Sequence, residues 1–269
     1  MDLGLSGHTA LITGGASGIG LASAHAFCQE GCSLILWDNS PLVKEVAEEL
    51  AKVYGTDVKY NVVDIVDFHS VQAATEAFFS SGHRLEHLVH CAAIGSAKFG
   101  FPFTNLAPGD WSRTLQVNIL GMVNVAHAIT PHMIQTKNGS MIFLASVAGQ
   151  MGSQTDPPYS ASKAANINFA QCMAKDLAIH GIRVNTVCPG MVKTPLNRSV
   201  WKSWYDQTPV SDRIEYEEWA DKKIRAVVPL GRWQTAEDVA SMIVFLSSQR
   251  AENVTGQAIN VDGGFVMHW

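Results

Sequence analysis

Short apolar runs alternate with longer amphipathic segments along most of the chain. Seven runs are strand-like: TALIT, SLILWD, VKYNVV, HLVHCAA, GSMIFLAS, IRVNTVCP and QAINVDGG. Between them, helical periodicity occupies residues 18–30, 42–54, 67–81, 110–137, 159–179 and 235–248. Runs that are apolar on both faces are typical of buried parallel strands, and their alternation with helices indicates βαβ units. The pattern predicts an α/β fold, a doubly wound parallel sheet with helices on both faces, as a single domain over residues 1–269.

Segment 191–229 lacks this alternation. It contains five aromatic side chains interleaved with charged residues: Trp201, Trp204, Tyr205, Tyr216 and Trp219. A mobile loop here would cover a substrate, and its aromatic rings could stack on a polyhydroxylated ligand. The same pattern describes an amphipathic helix packed on the domain or on another subunit. We expect a substrate-covering loop or helix segment, and both interpretations stay open at this point.

Composition narrows the classes of function. Hydrophobic residues make up 47% of the chain and charged residues 16%, which is typical of a compact enzyme and argues against a disordered chain. The net charge of −5 is spread without a basic run, so no nucleic-acid partner is expected. The start, MDLGLSGHTA, lacks the pattern of a targeting sequence, and no run of about 18 apolar residues occurs. We therefore expect a cytoplasmic protein with no membrane partner.

The side chains that form disulfides and metal sites are scattered. The five cysteines are odd in number and contain no CxxC pair, so reduced thiols are expected. His87 and His90 lie three apart in a strand-like run and therefore point to opposite faces. No histidine belongs to a cluster of carboxylates and cysteines at ligand spacing, so no metal site is predicted.

A glycine-rich turn, TGGASGIG (Thr13–Gly20), follows the first strand-like run and opens a helix. Glycines let the backbone approach a pyrophosphate, and a helix N-terminus supplies free N–H groups and partial positive charge. The context predicts a Rossmann-like dinucleotide loop. Its candidate contacts are Gly14, Ser17, Gly18, Ile19 and Gly20.

An acid, Asp38, ends the second strand-like run, 18 residues after Gly20. This is near the spacing at which a carboxylate accepts hydrogen bonds from the adenosine ribose. Asp38 would repel a 2′-phosphate, and the nearest cation that follows it is Lys44. NAD is therefore predicted in preference to NADP. The alternative is that Asp38 caps the helix that begins near Pro41.

A second acid, Asp64, ends the third strand-like run beside Ile65. The carboxyl ends of parallel strands form the ligand-binding edge of an open sheet, so this pair is a candidate contact for the adenine ring. The alternative is that Asp64 caps the helix near residue 67.

The stretch YSASK places Tyr159 four positions before Lys163. On a helix the two side chains share a face, and a nearby ammonium typically lowers the pKa of an acid by about 1–3 units. The spacing also occurs by chance in many helices, so other motifs must decide whether the pair is catalytic.

Several motifs in sequence order decide it: TGGASGIG, Asn118, Ser146, YSASK and PGMVKT. With the later PLGRW and TGQAINVDGG, the chain resembles the short-chain dehydrogenase/reductase family from about residue 5 to residue 264. The resemblance implies an NAD(H)-dependent oxidoreductase that interconverts a secondary alcohol and its ketone.

The resemblance also implies a role for each matching residue. Tyr159 would transfer the hydroxyl proton, and Lys163 would lower its pKa and hold the nicotinamide ribose. Ser146 would hydrogen-bond the reacting oxygen, and Asn118 would anchor a water that links Lys163 to solvent. The alternative for Asn118 is a buried asparagine that only needs partners for its amide.

Four residues of PGMVKT are implied contacts of the nicotinamide. Pro189 and Gly190 would shape the loop, and Val192 and Thr194 would bind the carboxamide. One departure is visible after the fourth strand-like run, where the family usually has Asn-Asn-Ala-Gly and this chain has HCAA (residues 90–93). Ala92 keeps the small residue beside the adenosine, whereas the side-chain contacts of the second asparagine are lost at Cys91. This departure raises a question about the local backbone geometry.

Substrate and assembly are less strongly indicated. A polar substrate such as a sugar, polyol or hydroxy acid is favoured, with an alicyclic or aromatic alcohol as the alternative. A non-catalytic dinucleotide-sensing protein of the same fold is the rival class. Family members are commonly tetramers, so we expect a homotetramer in which the apolar tail FVMHW packs on a neighbouring subunit. A tail folded back on its own domain is the alternative.

Overall fold

One parallel sheet forms the centre of the molecule. The computed structural model describes residues 2–80 and 82–267, apart from the side chain of Leu196. The strands are β1 (Thr9–Thr13), β2 (Ser33–Asp38), β3 (Val58–Val62), β4 (His87–His90), β5 (Gly139–Leu144), β6 (Ile182–Pro189) and β7 (Ala258–Val261). Their order across the sheet is β3-β2-β1-β4-β5-β6-β7, and every neighbouring pair is parallel.

Helices connect the strands and cover both faces of the sheet. Within the described ranges the α-helices are α1 (Gly18–Gln29), α2 (Val43–Tyr54), α3 (Phe68–Phe79), α4 (Gly109–Leu115), α5 (Gly121–Thr136), α6 (Pro157–Leu177), α7 (Pro195–Gln207), α8 (Tyr216–Val227) and α9 (Ala236–Ser247). A π-helical turn, Gln116–Leu120, joins α4 to α5, so the helix predicted near 110–137 consists of three pieces. None of the helices in these ranges is long and apolar enough to cross a membrane.

Two cores lie on opposite sides of the sheet because side chains alternate along each strand. In β1, Ala10 and Ile12 pack with residues of α1, α2 and α9, whereas Leu11 packs with residues of α3, α5 and α6. The predicted doubly wound α/β fold is therefore confirmed.

Strand order places a crevice at one edge of the sheet. The chain runs outward from β1 to β2 and β3, then returns to the other side of β1 as β4. Loops that leave the carboxyl ends of β1 and β4 therefore diverge, and this gap is where open α/β sheets bind ligands. The register pairs Thr13 with His90 at the two strand ends.

The segment 191–229 forms two helices, α7 and α8, that pack against each other. Its aromatic rings are in mutual contact: Trp201 with Tyr205 and Tyr216, and Trp204 and Tyr216 with Trp219. These contacts therefore support the interpretation of the segment as packed amphipathic helices. None of the five rings lines the main cavity in this arrangement, and their stacking on a ligand stays an untested alternative.

The C-terminal tail folds back on its own domain as far as it is described. Phe265 packs with Met191, and Val266 belongs to the small cluster around Ala145. Met267 is exposed, and Trp269 lies outside the described residues. For Phe265 and Val266 these contacts agree with the alternative of a tail folded back on its own domain, and packing on a neighbouring subunit stays a prediction.

Candidate active site

A cavity of about 640 Å³ lies at the carboxyl edge of the sheet and collects the predicted site residues. Its lining includes Gly14, Ser17, Gly18, Ile19, Gly20, Asp38, Asp64, Ile65, Ala92, Ser146, Tyr159, Lys163, Pro189, Gly190, Val192 and Thr194. Asn118 is the one predicted site residue that does not line it. Residues from segments 14–92, 146–163 and 189–194 thus meet in a single space.

The glycine-rich turn leaves room and N–H groups for an anion. A Cβ at Gly20 would lie 2.0 Å from the carbonyl oxygen of Gly14, so only glycine allows this tight return of the chain. At Gly18, with φ of +55°, a Cβ would meet nothing within 4 Å. Ser17 stands at the N-cap of α1 without a side-chain cap bond, so its hydroxyl does not occupy the first-turn N–H groups. The loop therefore fits a pyrophosphate.

Asp38 braces the glycine-rich turn. Its Oδ2 accepts a hydrogen bond of 3.0 Å from the backbone N–H of Ala16, and its Oδ1 accepts one of 2.9 Å from Ser40. Helix α2 begins at Val43 and has no side-chain cap bond, so the capping alternative for Asp38 is wrong. Each carboxylate oxygen can accept a further hydrogen bond, which leaves capacity for ribose hydroxyls.

Asp64 is exposed at the end of β3 and also lines the cavity. Its Oδ1 accepts a hydrogen bond of 3.0 Å from the backbone N–H of Val66. The cap of α3 is Asp67, whose side chain accepts from the N–H of His69. The capping alternative for Asp64 is therefore wrong, because Asp67 caps this helix instead.

Helix α6 brings Tyr159 and Lys163 to the end of β5. Lys163 Nζ donates a hydrogen bond of 2.6 Å to the carbonyl oxygen of Leu144 and lies 5.4 Å from the centre of the Tyr159 ring. Ser146 follows β5 directly and is buried. A Cβ at Gly149 would lie 2.6 Å from the backbone carbon of Lys163, so this glycine permits the close approach of the turn to the helix.

Burial dominates the electrostatics of the pair. It raises the pKa of Tyr159 to about 12, and the hydrogen bond with Ser146 is the contact that opposes this rise. Burial also lowers the pKa of Lys163 to about 8. Desolvation of the phenolate is thus the largest influence on this pKa, and the assigned effect of Lys163 on Tyr159 stays a prediction.

Asn118 holds the loop that follows β4. Its amide accepts a hydrogen bond of 2.9 Å from the backbone N–H of Ile94 and donates to the Ile94 carbonyl at 2.8 Å and to Ser162 Oγ at 2.9 Å. The backbone carbonyl of Asn118 accepts 2.8 Å from Asn166 Nδ2. These contacts agree with the alternative interpretation, that Asn118 is a buried asparagine whose amide needs hydrogen-bond partners. A role for Asn118 in a proton relay stays a prediction.

Asp156 is a site residue that the sequence reasoning missed. It is buried at the N-cap of α6, where its Oδ1 accepts from the N–H of Tyr159 at 3.3 Å and its Oδ2 from the N–H of Ser96 at 2.8 Å. The carboxylate therefore fixes the start of the helix and joins it to the loop after β4. Burial raises the pKa of Asp156. An Asp followed by Pro157 is a helix-start pattern that could have identified it.

The HCAA segment is held by contacts of its own. His90 Nδ1 and Thr13 Oγ1 are hydrogen-bonded at 2.9 Å, and Thr13 Oγ1 also accepts from the N–H of Ala92 at 3.3 Å. The N–H of Cys91 donates to the Thr13 carbonyl at 3.1 Å. Burial raises the pKa of the Cys91 thiol to about 12, so the thiol stays protonated. The side chain at 90 thus ties β4 to β1 where the asparagine at 91 is missing.

The segment after β6 enters the cavity beside Tyr159. A Cβ at Gly190 would lie 2.7 Å from the Cβ of Asp262, so glycine is needed where β6 leaves the sheet. Val192 is buried. Thr194 caps α7 by accepting from the N–H of Asn197 at 3.3 Å. Its hydroxyl is therefore already engaged by its own helix.

Comparisons with known proteins agree with this arrangement. The family model described as "Enoyl-(Acyl carrier protein) reductase" matches residues 14–266. The chain belongs to the short-chain dehydrogenase/reductase family. It is 34% identical over 266 residues to the 3-oxoacyl-[acyl-carrier-protein] reductase FabG of Thermotoga maritima, covering 98% of this chain and 99% of that protein. Membership of this oxidoreductase family makes the chain an oxidoreductase.

Two solved structures are similar over nearly their whole length. L-sorbose reductase from Gluconobacter frateurii, complexed with NADPH and L-sorbose, has a TM-score of 0.90 and 29% identity, with 100% of both chains covered. Carveol dehydrogenase from Mycobacterium avium, in complex with NAD, has a TM-score of 0.88 and 25% identity, covering 97% of this chain and 98% of that one. One of these two structures thus holds NADPH and the other holds NAD.

From the burial of His87 and His90 we predict that the protein loses stability in acid. Burial lowers the pKa values of His87 and His90 to about 3, so both imidazoles are neutral in the folded protein at pH 5–7. The unfolded chain binds protons near pH 6.5, so the stabilisation is present above that pH and is lost as the pH falls toward 3. We expect the free energy of unfolding to decrease from pH 7 to pH 5, by up to about 1.4 kcal/mol per pH unit for each imidazole.

Urea titrations at several pH values measure this slope. His90→Gln and His87→Gln should each give a shallower slope than the parent, whatever their stability at pH 7. Parallel curves for all three proteins would contradict the assignment of the acid sensitivity to these imidazoles.

Proposed function

We propose that the protein is an NAD(H)-dependent oxidoreductase that interconverts a secondary alcohol and its ketone, with Tyr159 as the acid or base. The observation that carries this proposal is the meeting of Tyr159, Lys163 and Ser146 in the same cavity as the glycine-rich turn. A protein that only senses a dinucleotide would not need this set intact. Conversion of NAD to NADH with a panel of alcohols tests the activity.

Asp38 supports NAD as the cofactor. Its carboxylate lines the cavity, and the segment after it, Asn39 to Val43, contains no cation that could pair with a 2′-phosphate. The nicotinamide dinucleotide, when bound, supplies the group that accepts or donates the hydride. The chain would hold it through the predicted set: Gly14, Ser17, Gly18, Ile19, Gly20, Asp38, Asp64, Ile65, Ala92, Tyr159, Lys163, Pro189, Gly190, Val192 and Thr194.

In this proposal Tyr159 is the residue that transfers the proton. With a pKa near 12 the phenol is protonated at neutral pH, so it can donate directly to the oxygen of a ketone. In alcohol oxidation the phenolate must form first, and the Ser146 hydroxyl stabilises it through a hydrogen bond. Lys163, with its pKa near 8, is close to titration at physiological pH and could return the proton to solvent through Asn118.

The lining supports a polar substrate such as a sugar, polyol or hydroxy acid. Ser153, Gln154, Thr155 and Asn197 place hydroxyl and amide groups in the cavity. L-sorbose reductase, a structural relative, is complexed with a sugar. An alicyclic or aromatic alcohol is the second candidate, because Met151, Met191, Val200 and Phe265 line the same cavity. Segment 191–229 would cover the substrate through the residues that face this space.

Assembly and location complete the proposal. We propose a homotetramer in the cytoplasm that takes a small-molecule substrate and has neither a nucleic-acid partner nor a resident metal. In such an assembly the exposed side chain of Met267 would be available for a contact between subunits.

Replacement of Tyr159 by phenylalanine tests the catalytic assignment. The ring remains but the proton-transfer oxygen is lost, so turnover should fall about 10²–10⁴-fold. NADH binding, followed by its fluorescence, should persist. Tyr205→Phe is the matched control, because Tyr205 does not line the cavity. Near-parental turnover of the Tyr159 variant would exclude Tyr159 as the acid or base.

Cofactor choice can be tested at Asp38 and its neighbour Asn39, which also lines the cavity. The double variant Asp38→Ala, Asn39→Arg removes the repelling charge and adds a phosphate partner. The preference for NAD over NADP, measured as the ratio of kcat/KM values, should decrease by about tenfold or more. The two single variants separate lost repulsion from gained attraction. An unchanged ratio would show that selection lies elsewhere in the chain.

A further inference from the structure

A lysine on α8 lines the cavity without an acidic partner. Lys223 is half-buried, and its Nζ lies 4.9 Å from the centre of the Trp219 ring. Among residues 2–80 and 82–267, no carboxylate lies within salt-bridge distance of its Nζ. Burial lowers the pKa of this ammonium, and no neighbouring charge opposes the effect. An anion bound beside a partly desolvated ammonium that has no acidic partner would stabilise it.

Asn197, on the facing helix α7, adds an uncharged hydrogen-bond donor to the same cavity. The Tyr216 hydroxyl donates a hydrogen bond of 2.9 Å to Asn197 Oδ1. This contact orients the Asn197 amide, so that its oxygen is engaged and its NH₂ group remains a donor. Asn197 lines the cavity, as Lys223 does. The wall formed by α7 and α8 therefore offers an ammonium and an amide NH₂ group as donors.

We infer that the substrate carries a carboxylate, which Lys223 and Asn197 bind while Tyr159 and Ser146 meet its hydroxyl or keto oxygen. This inference rests on the proposed function and narrows its substrate class to hydroxy acids and the corresponding keto acids. A carboxylate accepts hydrogen bonds and donates none, which matches this wall. A polyol hydroxyl is uncharged and would not neutralise the Lys223 ammonium.

The single positive charge on the wall formed by α7 and α8 favours a monoanion over a phosphate ester. Lys223 is the one cation that α7 and α8 contribute to the described lining. Lys163 donates to the Leu144 carbonyl, and Arg113 is on α4, which precedes Asn118. One ammonium neutralises a carboxylate, whereas a phosphate monoester carries about 1.5–2 negative charges.

Matched pairs of acid and neutral alcohol test the inference. The pairs are D-gluconate with D-glucitol, and 3-hydroxybutyrate with 1,3-butanediol, in which CH₂OH replaces the carboxylate. The parent should prefer the acid of at least one pair. Lys223→Met should raise the KM for that acid about tenfold to a hundredfold, with kcat and the neutral partner little changed. Lys223→Arg should recover part of the affinity.

Lys222→Met is the matched control, since it removes the same charge from the same helix. Lys222 is exposed and pairs with Glu218 at 2.8 Å on the surface, so its loss should leave the KM for the acid unchanged. Equal use of acid and neutral alcohol by the parent, or the same KM in Lys223→Met, would overturn the inference.

Binding without turnover separates this inference from the proposed function. Calorimetry of each acid with the NADH-bound protein should show affinity in the parent and a loss in Lys223→Met. Binding lost in the variant, with no alcohol oxidised by the parent, would support the carboxylate site and refute the proposed reaction. Oxidation of neutral alcohols, with no binding of either acid, would support the reaction and refute the carboxylate site.

Discussion

The position of the catalytic helix depends on the hydrogen bond from Lys163 Nζ to the carbonyl oxygen of Leu144. A buried ammonium requires an acceptor, and the last carbonyl of β5 supplies it at 2.6 Å. Ser146 lies two residues beyond the end of this strand, so this bond fixes the distance between the helix that carries Tyr159 and the segment that carries Ser146. Asp156 secures the start of the helix from the other side. The three reactive groups are therefore positioned by the backbone of the sheet.

Burial sets the chemical character of the site more strongly than any single charge. The same desolvation makes the phenol of Tyr159 a weaker acid and the ammonium of Lys163 a stronger one, so their pKa values separate, to about 12 and about 8. Both groups are thereby shifted toward their neutral forms, the phenol as a proton donor and the amine as a proton acceptor. A wetter cavity would leave the two values closer together. The apolar walls of the cavity thus influence the protonation of both groups although they carry no proton.

Local patterns were sufficient for the fold and for most of the cavity lining. Buried strands and the glycine-rich turn are coded by neighbouring residues, so their positions followed from the sequence with errors of one or two residues at the helix ends. Contacts between distant segments did not follow from it. The Thr13–His90 hydrogen bond depends on the β1–β4 register, and Asp156 gains its second partner, Ser96, only when the loop after β4 folds over α6. The cavity face of α8, with Lys223, likewise emerges only once α7 is packed against it.

The π-helical turn at Gln116–Leu120 makes this part of the chain sensitive to length. Each of its hydrogen-bonded rings spans one more residue than in an α-helix, so α4 and α5 are out of register by about one residue, a rotation of about 100°. Helix α4 packs on α6, whereas α5 packs on α3. A single-residue deletion here would restore a regular helix and turn one of these faces away from its partner. Changes of side chain would leave both faces in place, so the orientation of the two helices depends on the number of residues in the turn, whereas the loop after β4 depends on Asn118 within it.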